Sequence, residues 1–129
     1  MNIKTDITTN GFKDLRVYRK AVELSILTLR LTRDFPTKFQ YDLGSQMRRA
    51  AISVPSNISE GYRRNSRKEY IQFLSIAYGS CGELQSQTEI ASAMDLFSKN
   101  DGEQILNVED EVSKMLWKMI DRMKGWRRV

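Results

Sequence analysis

Residues 46–64, QMRRAAISVPSNISEGYRR, carry one arginine pair, Arg48-Arg49, before Pro55 and a second, Arg63-Arg64, after it. A guanidinium presents a planar fork of N–H donors that fits phosphate and carboxylate oxygens. The chemistry open to these residues is therefore anion binding or ion pairing. Arg67 and Lys68 follow the second pair, and an earlier ridge holds Lys13, Arg16, Arg19 and Lys20. Arg63, Arg64, Arg67 and Lys68 cluster round a turn that leads into a helix. Cationic side chains beside a helix N-terminus make a phosphate site, which the ridge would extend. Subunit salt bridges with the acidic 71–113 region are the competing reading, which for Arg48 and Arg49 stands level with phosphate binding.

Other chemistry is thinly represented. The chain has no histidine, so histidine-dependent nucleophile pairs and the common zinc ligand sets are absent. Its one cysteine, Cys81, rules out an internal disulfide framework and fits a reducing, cytoplasmic setting. Glu109, Asp110 and Glu111 are adjacent carboxylates, the only candidates for a metal-dependent nuclease. Neighbours on a helix point in different directions, so the run reads better as a solvated face. The expectation is a protein that is not an enzyme, with no metal and no cofactor. Tyr62, Tyr70 and Trp126 could stack on bases, although single aromatics are more often packing residues.

The 129 residues suit one domain, and 40% hydrophobic with 29% charged residues is ordinary globular composition. No apolar run is long enough to cross a membrane, and the N-terminus has no signal-peptide core. Net charge is +5 but unevenly placed: +4 over residues 1–40, +3 over 41–70, −7 over 71–113 and +5 over 114–129.

Four segments carry apolar residues at helical spacing. The first, about 12–33, has one stripe of Leu15, Tyr18, Val22, Ile26 and Leu29. Its second stripe is Val17, Ala21, Leu24, Thr28 and Leu31. The second segment, about 39–62, keeps phase through Pro55 with Leu43, Met47, Ala50, Val54, Ile58 and Gly61 on one face. That predicts one helix kinked near Pro55, two short helices being the alternative. Asn57 is placed to bond a carbonyl freed by the proline.

Ser66 to Glu69 reads as a capping box opening the third helix. Its core face is Tyr70, Leu74, Ala77, Cys81, Leu84, Thr88 and Ala91, and Ser75, Gly79, Gly82 and Ser86 lie opposite. Mid-helix glycines each cost about 1 kcal/mol, so two on one line point to close packing there. Asn100 or Asp101 is the expected N-cap of the fourth helix, which carries Ile105, Val108, Val112, Met115, Leu116, Met119, Ile120 and Met123 and stops at Gly125.

The predicted fold is all-α: an up-and-down antiparallel four-helix bundle over residues 12–125, with a flexible segment 1–11 before it and a basic tail 126–129 after it. One bundle leaves two faces without a partner. Val17, Leu24 and Leu31 on the first helix and Ser75, Gly79, Gly82 and Ser86 on the third are therefore expected at the interface of a homo-oligomer.

The runs FKDLRVYRKA and FPTKFQYDLGSQMRRAAISVPSNISEGYRRNSRKEYIQFLSIAYGSCGELQSQ resemble the four-helix-bundle family named after proteins encoded in 23S rRNA intervening sequences. That S23-like group includes the accessory variability determinant of diversity-generating retroelements. The resemblance spans about residues 12–124, and QMRRAA.S.P.NI.EG with A.GS..EL is its most specific part. Family members typically carry a glutamate shortly after the Phe-Pro pair, where this chain has Phe39-Gln40.

The resemblance implies a homopentameric barrel with a basic surface. In the retroelement members that surface serves nucleic acid and a reverse transcriptase. The expected function is binding of RNA or DNA backbone through the basic residues, in support of a nucleic-acid-processing protein such as a reverse transcriptase. The alternative is a protein-interaction scaffold with no nucleic-acid role.

Overall fold

The computed structural model describes residues 11–125, so the expected tail 126–129, Trp126 and nearly all of the expected flexible N-terminal segment lie outside the described residues. Gly11 is the exception: it opens a 3-10 turn, Gly11–Asp14, with φ +63°. Four long helices follow: α1 (Arg16–Thr32), α2 (Ser45–Tyr62), α3 (Arg67–Ala93) and α4 (Lys99–Gly125). α1 packs on α2 and α4, α2 on α3, and α3 on α4, so consecutive helices are neighbours in an up-and-down ring.

The core takes the apolar faces expected of three helices. Met47, Ala50, Val54 and Ile58 come from α2; Leu74, Ala77, Cys81, Leu84 and Ala91 from α3; Ile105, Val112 and Leu116 from α4. α1 corrects the expectation. Val17 and Leu24 are buried within the subunit, with Leu31 half-buried against the same core, so this stripe is not a free oligomer face. The outward side carries Ile26 and Leu29, 43% and 39% exposed. The reason is hydroxyl chemistry. Thr28 Oγ1 donates to Leu24 O at 2.8 Å and Thr32 Oγ1 to Thr28 O at 2.8 Å, so both threonines enter the core with their polar atoms satisfied.

α2 is one helix from Ser45 to Tyr62 with Pro55 inside it. Proline leaves the carbonyl four residues back, that of Ala51, without its helical donor. Ser25 of α1 supplies the replacement, its Oγ 2.7 Å from Ala51 O. Asn57, the residue expected to do this, bonds Ser53 instead, through Nδ2 to O at 2.8 Å and to Oγ at 2.9 Å.

The connections use local chemistry. Between α1 and α2 lie a helical turn, Thr37–Phe39, and a π-type turn, Gln40–Gly44. Gln40 Nε2 lies 3.2, 2.7 and 2.8 Å from the carbonyls of Thr32, Arg33 and Phe35 at the end of α1. A glutamate there could accept but not donate, so the amide suits this chain's connection. α3 opens on the forward half of the expected capping box: Glu69 N–H donates to Ser66 Oγ at 3.1 Å, and the Glu69 carboxylate accepts from that same hydroxyl at 3.2 Å.

At its other end Asp95 takes the left-handed position, φ 57°, that glycine more often fills, and Leu96 N–H bonds Ala91 O at 3.0 Å. α4 is capped by Ser98, whose Oγ accepts from Asp101 N–H at 3.1 Å, rather than by Asn100 or Asp101.

Gly61 marks a close approach, and Gly79 and Gly82 do not. A Cβ on Gly61 would lie 2.8 Å from Phe73 Cβ, so α2 and α3 meet there with no room for alanine. A Cβ on Gly79 or Gly82 would meet nothing within 4 Å. The Ser75, Gly79, Gly82 and Ser86 face is open within the subunit, and Ile76 beside it is 51% exposed.

Candidate nucleic-acid interface

The ten candidate cations do not form one surface. Lys13, Arg16, Arg63, Arg67 and Lys68 are exposed residues at one end of the bundle, where α1 begins, α2 ends and α3 begins. Phe12 organises the junction: its ring sits 4.9 Å from that of Tyr18, and the Arg63 guanidinium lies 5.3 Å from its centroid. Arg63 is thus held against the turn that carries Lys13. α4 ends at the same end of the bundle with Arg122 and Lys124 in its last turn. Sequence reasoning gave these two no role, although the +5 charge of residues 114–129 was the signal.

Three other candidates, Arg64, Lys20 and Arg48, have partners within the subunit. Arg64 pairs with Glu60 at 2.9 Å and Glu69 at 3.8 Å, and its guanidinium lies 4.8 Å from the Phe73 centroid. Lys20 bridges Glu23 at 2.8 Å and Glu111 of α4 at 3.4 Å, and its pKa is raised first by the hydrogen bond to Glu23. Arg48 is held by neutral groups within the subunit. Its Nη1 lies 3.2 Å from Thr32 Oγ1 and 3.1 Å from Gln40 Oε1, and Nη2 lies 2.8 Å from Gln40 O. It holds the α1–α2 connection through neutral oxygens.

Arg49 is exposed but remote, 14 residues along α2 from Arg63, or about 21 Å at 1.5 Å per residue. It lines a separate cleft with Gln46, Ser53, Glu83 and Gln87. Arg19 lies beside Arg16 and Lys20 on the outward side of α1.

The N-terminus of α3 contributes less than expected. The Glu69 amide is already bonded to Ser66, and the Glu69 carboxylate occupies the first turn. Side chains, not helix amides, dominate this surface. Tyr62 and Tyr70 pack edge to face with centroids 6.1 Å apart, and burial pushes the Tyr70 pKa up to about 12, which makes them packing residues.

The three adjacent carboxylates diverge. Glu109 is buried, Asp110 pairs with Lys114 at 2.9 Å, and Glu111 reaches Lys20. Among the described residues no cluster of histidine, cysteine or acidic side chains could hold a metal ion. Burial pushes the Cys81 thiol up to about 12, so it is inert at neutral pH. No helix among the described residues is long and apolar enough to cross a membrane.

The four packed helices define an all-α four-helix-bundle protein. Residues 13–118 match the profile of the 23S rRNA-intervening sequence proteins, and the chain belongs to that family. A crystal structure from Bacteroides thetaiotaomicron VPI-5482, of a protein with unknown function from the S23 ribosomal protein family, superposes with a TM-score of 0.73. The two are 24% identical over 81% of this chain and 95% of that one, a likeness that shows the fold. No curated protein matches the sequence.

Proposed function

We propose that this chain is a non-catalytic, cytoplasmic, oligomeric protein that binds RNA or DNA through the phosphate backbone at its basic end. It would then serve as an accessory to a nucleic-acid-processing protein such as a reverse transcriptase. The observation that carries the reading is the convergence of Lys13, Arg16, Arg63, Arg67 and Lys68, all exposed, on the end where all four helices start or stop. Binding of this kind is largely independent of sequence and falls steeply with salt.

Assembly multiplies the effect, because each copy in a ring presents the same end. The exposed apolar residues Ile26, Leu29, Ile52 and Ile76, with the open Gly79 and Gly82 face, support a homo-oligomer. The family resemblance makes a pentamer the expected size.

The test is fluorescence anisotropy of labelled RNA and duplex DNA across a salt series, with Arg63→Glu, Arg67→Glu and Lys68→Glu combined. Affinity should drop, and the slope of log K against log salt on duplex DNA should shrink by about 0.9 for each phosphate that is no longer neutralised. Light scattering should report an unchanged oligomer. Equal affinity in the triple variant would remove this surface from consideration.

A further inference from the structure

A cleft of about 450 Å³ runs between α2 and α3, lined by Gln46, Arg49, Ala50, Ser53, Glu83 and Gln87. None of the residues that support the oligomer, Ile26, Leu29, Ile52, Ile76, Gly79 and Gly82, lines it. Gln87 is the unusual member. It is only 7% exposed, and its Oε1 is buried with no hydrogen-bond donor among the described residues. An acceptor buried without a donor destabilises a fold, and an N–H brought in by a ligand would relieve it. The charged neighbours are uncommitted too. Arg49 and Glu83 stand on opposite walls, and neither has an ion pair among the described residues.

The register of the two helices puts these groups within reach of one molecule. Ser53 Oγ lies 2.8 Å from Ser80 Oγ, so α2 and α3 touch at that level. Because the helices run antiparallel, Ala50 comes level with Glu83, and Gln46 with Gln87. Arg49 is next to Ala50, while Glu83 and Gln87 are one turn apart, about 6 Å along the axis. Ser53 is not open to a ligand, since its hydroxyl also accepts from Asn57 Nδ2 at 2.9 Å.

We infer that this cleft holds the guanine base of a nucleotide, either free or in an unpaired strand. The strand source rests on the nucleic-acid reading above; the free nucleotide does not. Guanine alone among the common bases sets two N–H groups on adjacent atoms, N1 and N2, matching both oxygens of the Glu83 carboxylate. Its remaining N2 hydrogen goes to Gln87 Oε1, which the soft terminal torsion of the amide turns outward. On the adjoining edge, O6 and N7 accept from the forked Arg49 guanidinium. Adenine reverses this pattern, with a donor towards the arginine and an acceptor towards the carboxylate. The volume suits a small ligand and excludes a duplex.

Isothermal titration calorimetry compares GMP with IMP, which lacks the N2 amine, and with AMP and CMP. GMP should bind saturably and IMP more weakly, with AMP and CMP about tenfold or more below GMP, the cost of a lost bidentate pair. In protein carrying isotope-labelled glutamine, the Gln87 side-chain amide signal should shift along the same titration. An oligouridine with one guanosine separates the sources, measured with Arg63→Glu, Arg67→Glu and Lys68→Glu combined so that the basic end does not contribute. Tighter binding than GMP supports the strand, and weaker binding supports the free nucleotide.

Glu83→Gln should weaken GMP about tenfold, with unchanged light scattering. Gln87→Leu should abolish the preference for GMP over IMP without lowering the melting temperature, because it removes an unpaired acceptor and no hydrogen bond. The triple variant at the basic end should keep its GMP response, so loss of GMP binding alone would strike this site and leave the basic end standing. No saturable response to GMP, an equal response to AMP or CMP, or full affinity in Glu83→Gln would overturn the assignment.

Discussion

The two ends of α2 carry the same sequence feature, an arginine pair, and put it to different uses. At the start, Arg48 is drawn inward onto neutral oxygens of Thr32 and Gln40, while Arg49 faces a separate cleft. At the finish, Arg64 is drawn onto the carboxylates of Glu60 and Glu69, while Arg63 rests on the Phe12 ring at the basic end. Neighbours on an α-helix are about 100° apart, so Arg48 and Arg49 cannot share one environment, and Arg63 and Arg64 lie past the end of α2 where the chain turns. Each pair therefore splits into one residue that fastens a connection and one left on the surface. A count of arginines overstates the binding surface for that reason.

The sharpest way to break this comparison is truncation at the opening end. Arg48→Ala removes hydrogen bonds from a charged donor to the α1–α2 connection and should cost about 2–3 kcal/mol by chemical denaturation. Arg49→Ala should stay within about 0.5 kcal/mol, as expected of an exposed site. Equal losses would mean that Arg49 is also structural.

At the closing end, Gly61→Ala must displace Phe73 and should cost about 1–3 kcal/mol. Gly79→Ala on the open face of α3 should instead raise subunit stability by about 1 kcal/mol through helix propensity. If that face closes an oligomer, the same change should weaken assembly in light scattering, which separates the two effects.

The middle of α2 predicts a coupling. Ser25→Ala leaves Ala51 O without a donor and should cost about 1–2 kcal/mol. In a Pro55→Ala background, the restored N–H can serve that carbonyl and the serine should matter less, by about 1 kcal/mol in a double-mutant cycle.

The smallest effect is a pH dependence. Burial raises the Glu109 pKa, so the native state holds a proton that the unfolded chain has already released. This contribution to stability is lost as pH rises from the ordinary carboxylate value through the raised one. Glu109→Gln should flatten the melting-temperature profile over that window.

Much of the fold was legible because three helices follow simple rules. The α2, α3 and α4 core faces are strictly periodic in large or small apolar residues, and Ser66 with Glu69 announces a helix start by chemistry alone. α1 misled because its outward stripe, with Tyr18, Val22, Ile26 and Leu29, is the more hydrophobic to read, whereas its buried side uses Ala21, Ser25, Thr28 and Thr32. Hydroxyls satisfied by the helix's own carbonyls pack as small apolar groups, and no hydropathy pattern reveals that.

The basic cluster after α2 was visible as charge spacing. The inward turn of Arg48 at the start of α2 was not, because its partners lie 16 and 8 residues away and depend on the π-type turn at Gln40–Gly44. The cleft between α3 and α4 was illegible for a similar reason: Tyr78 and Trp117, which both line it, are 39 residues apart in sequence.

The bond from Ser25 to Ala51 has a consequence for inheritance. A proline at position 55 and a hydroxyl at position 25 form a linked pair, since one creates the need that the other meets. Descendants that lose Pro55 are released to vary at position 25. Those that lose Ser25 first pass through a less stable intermediate. The order of the two changes is therefore biased, with the proline going first.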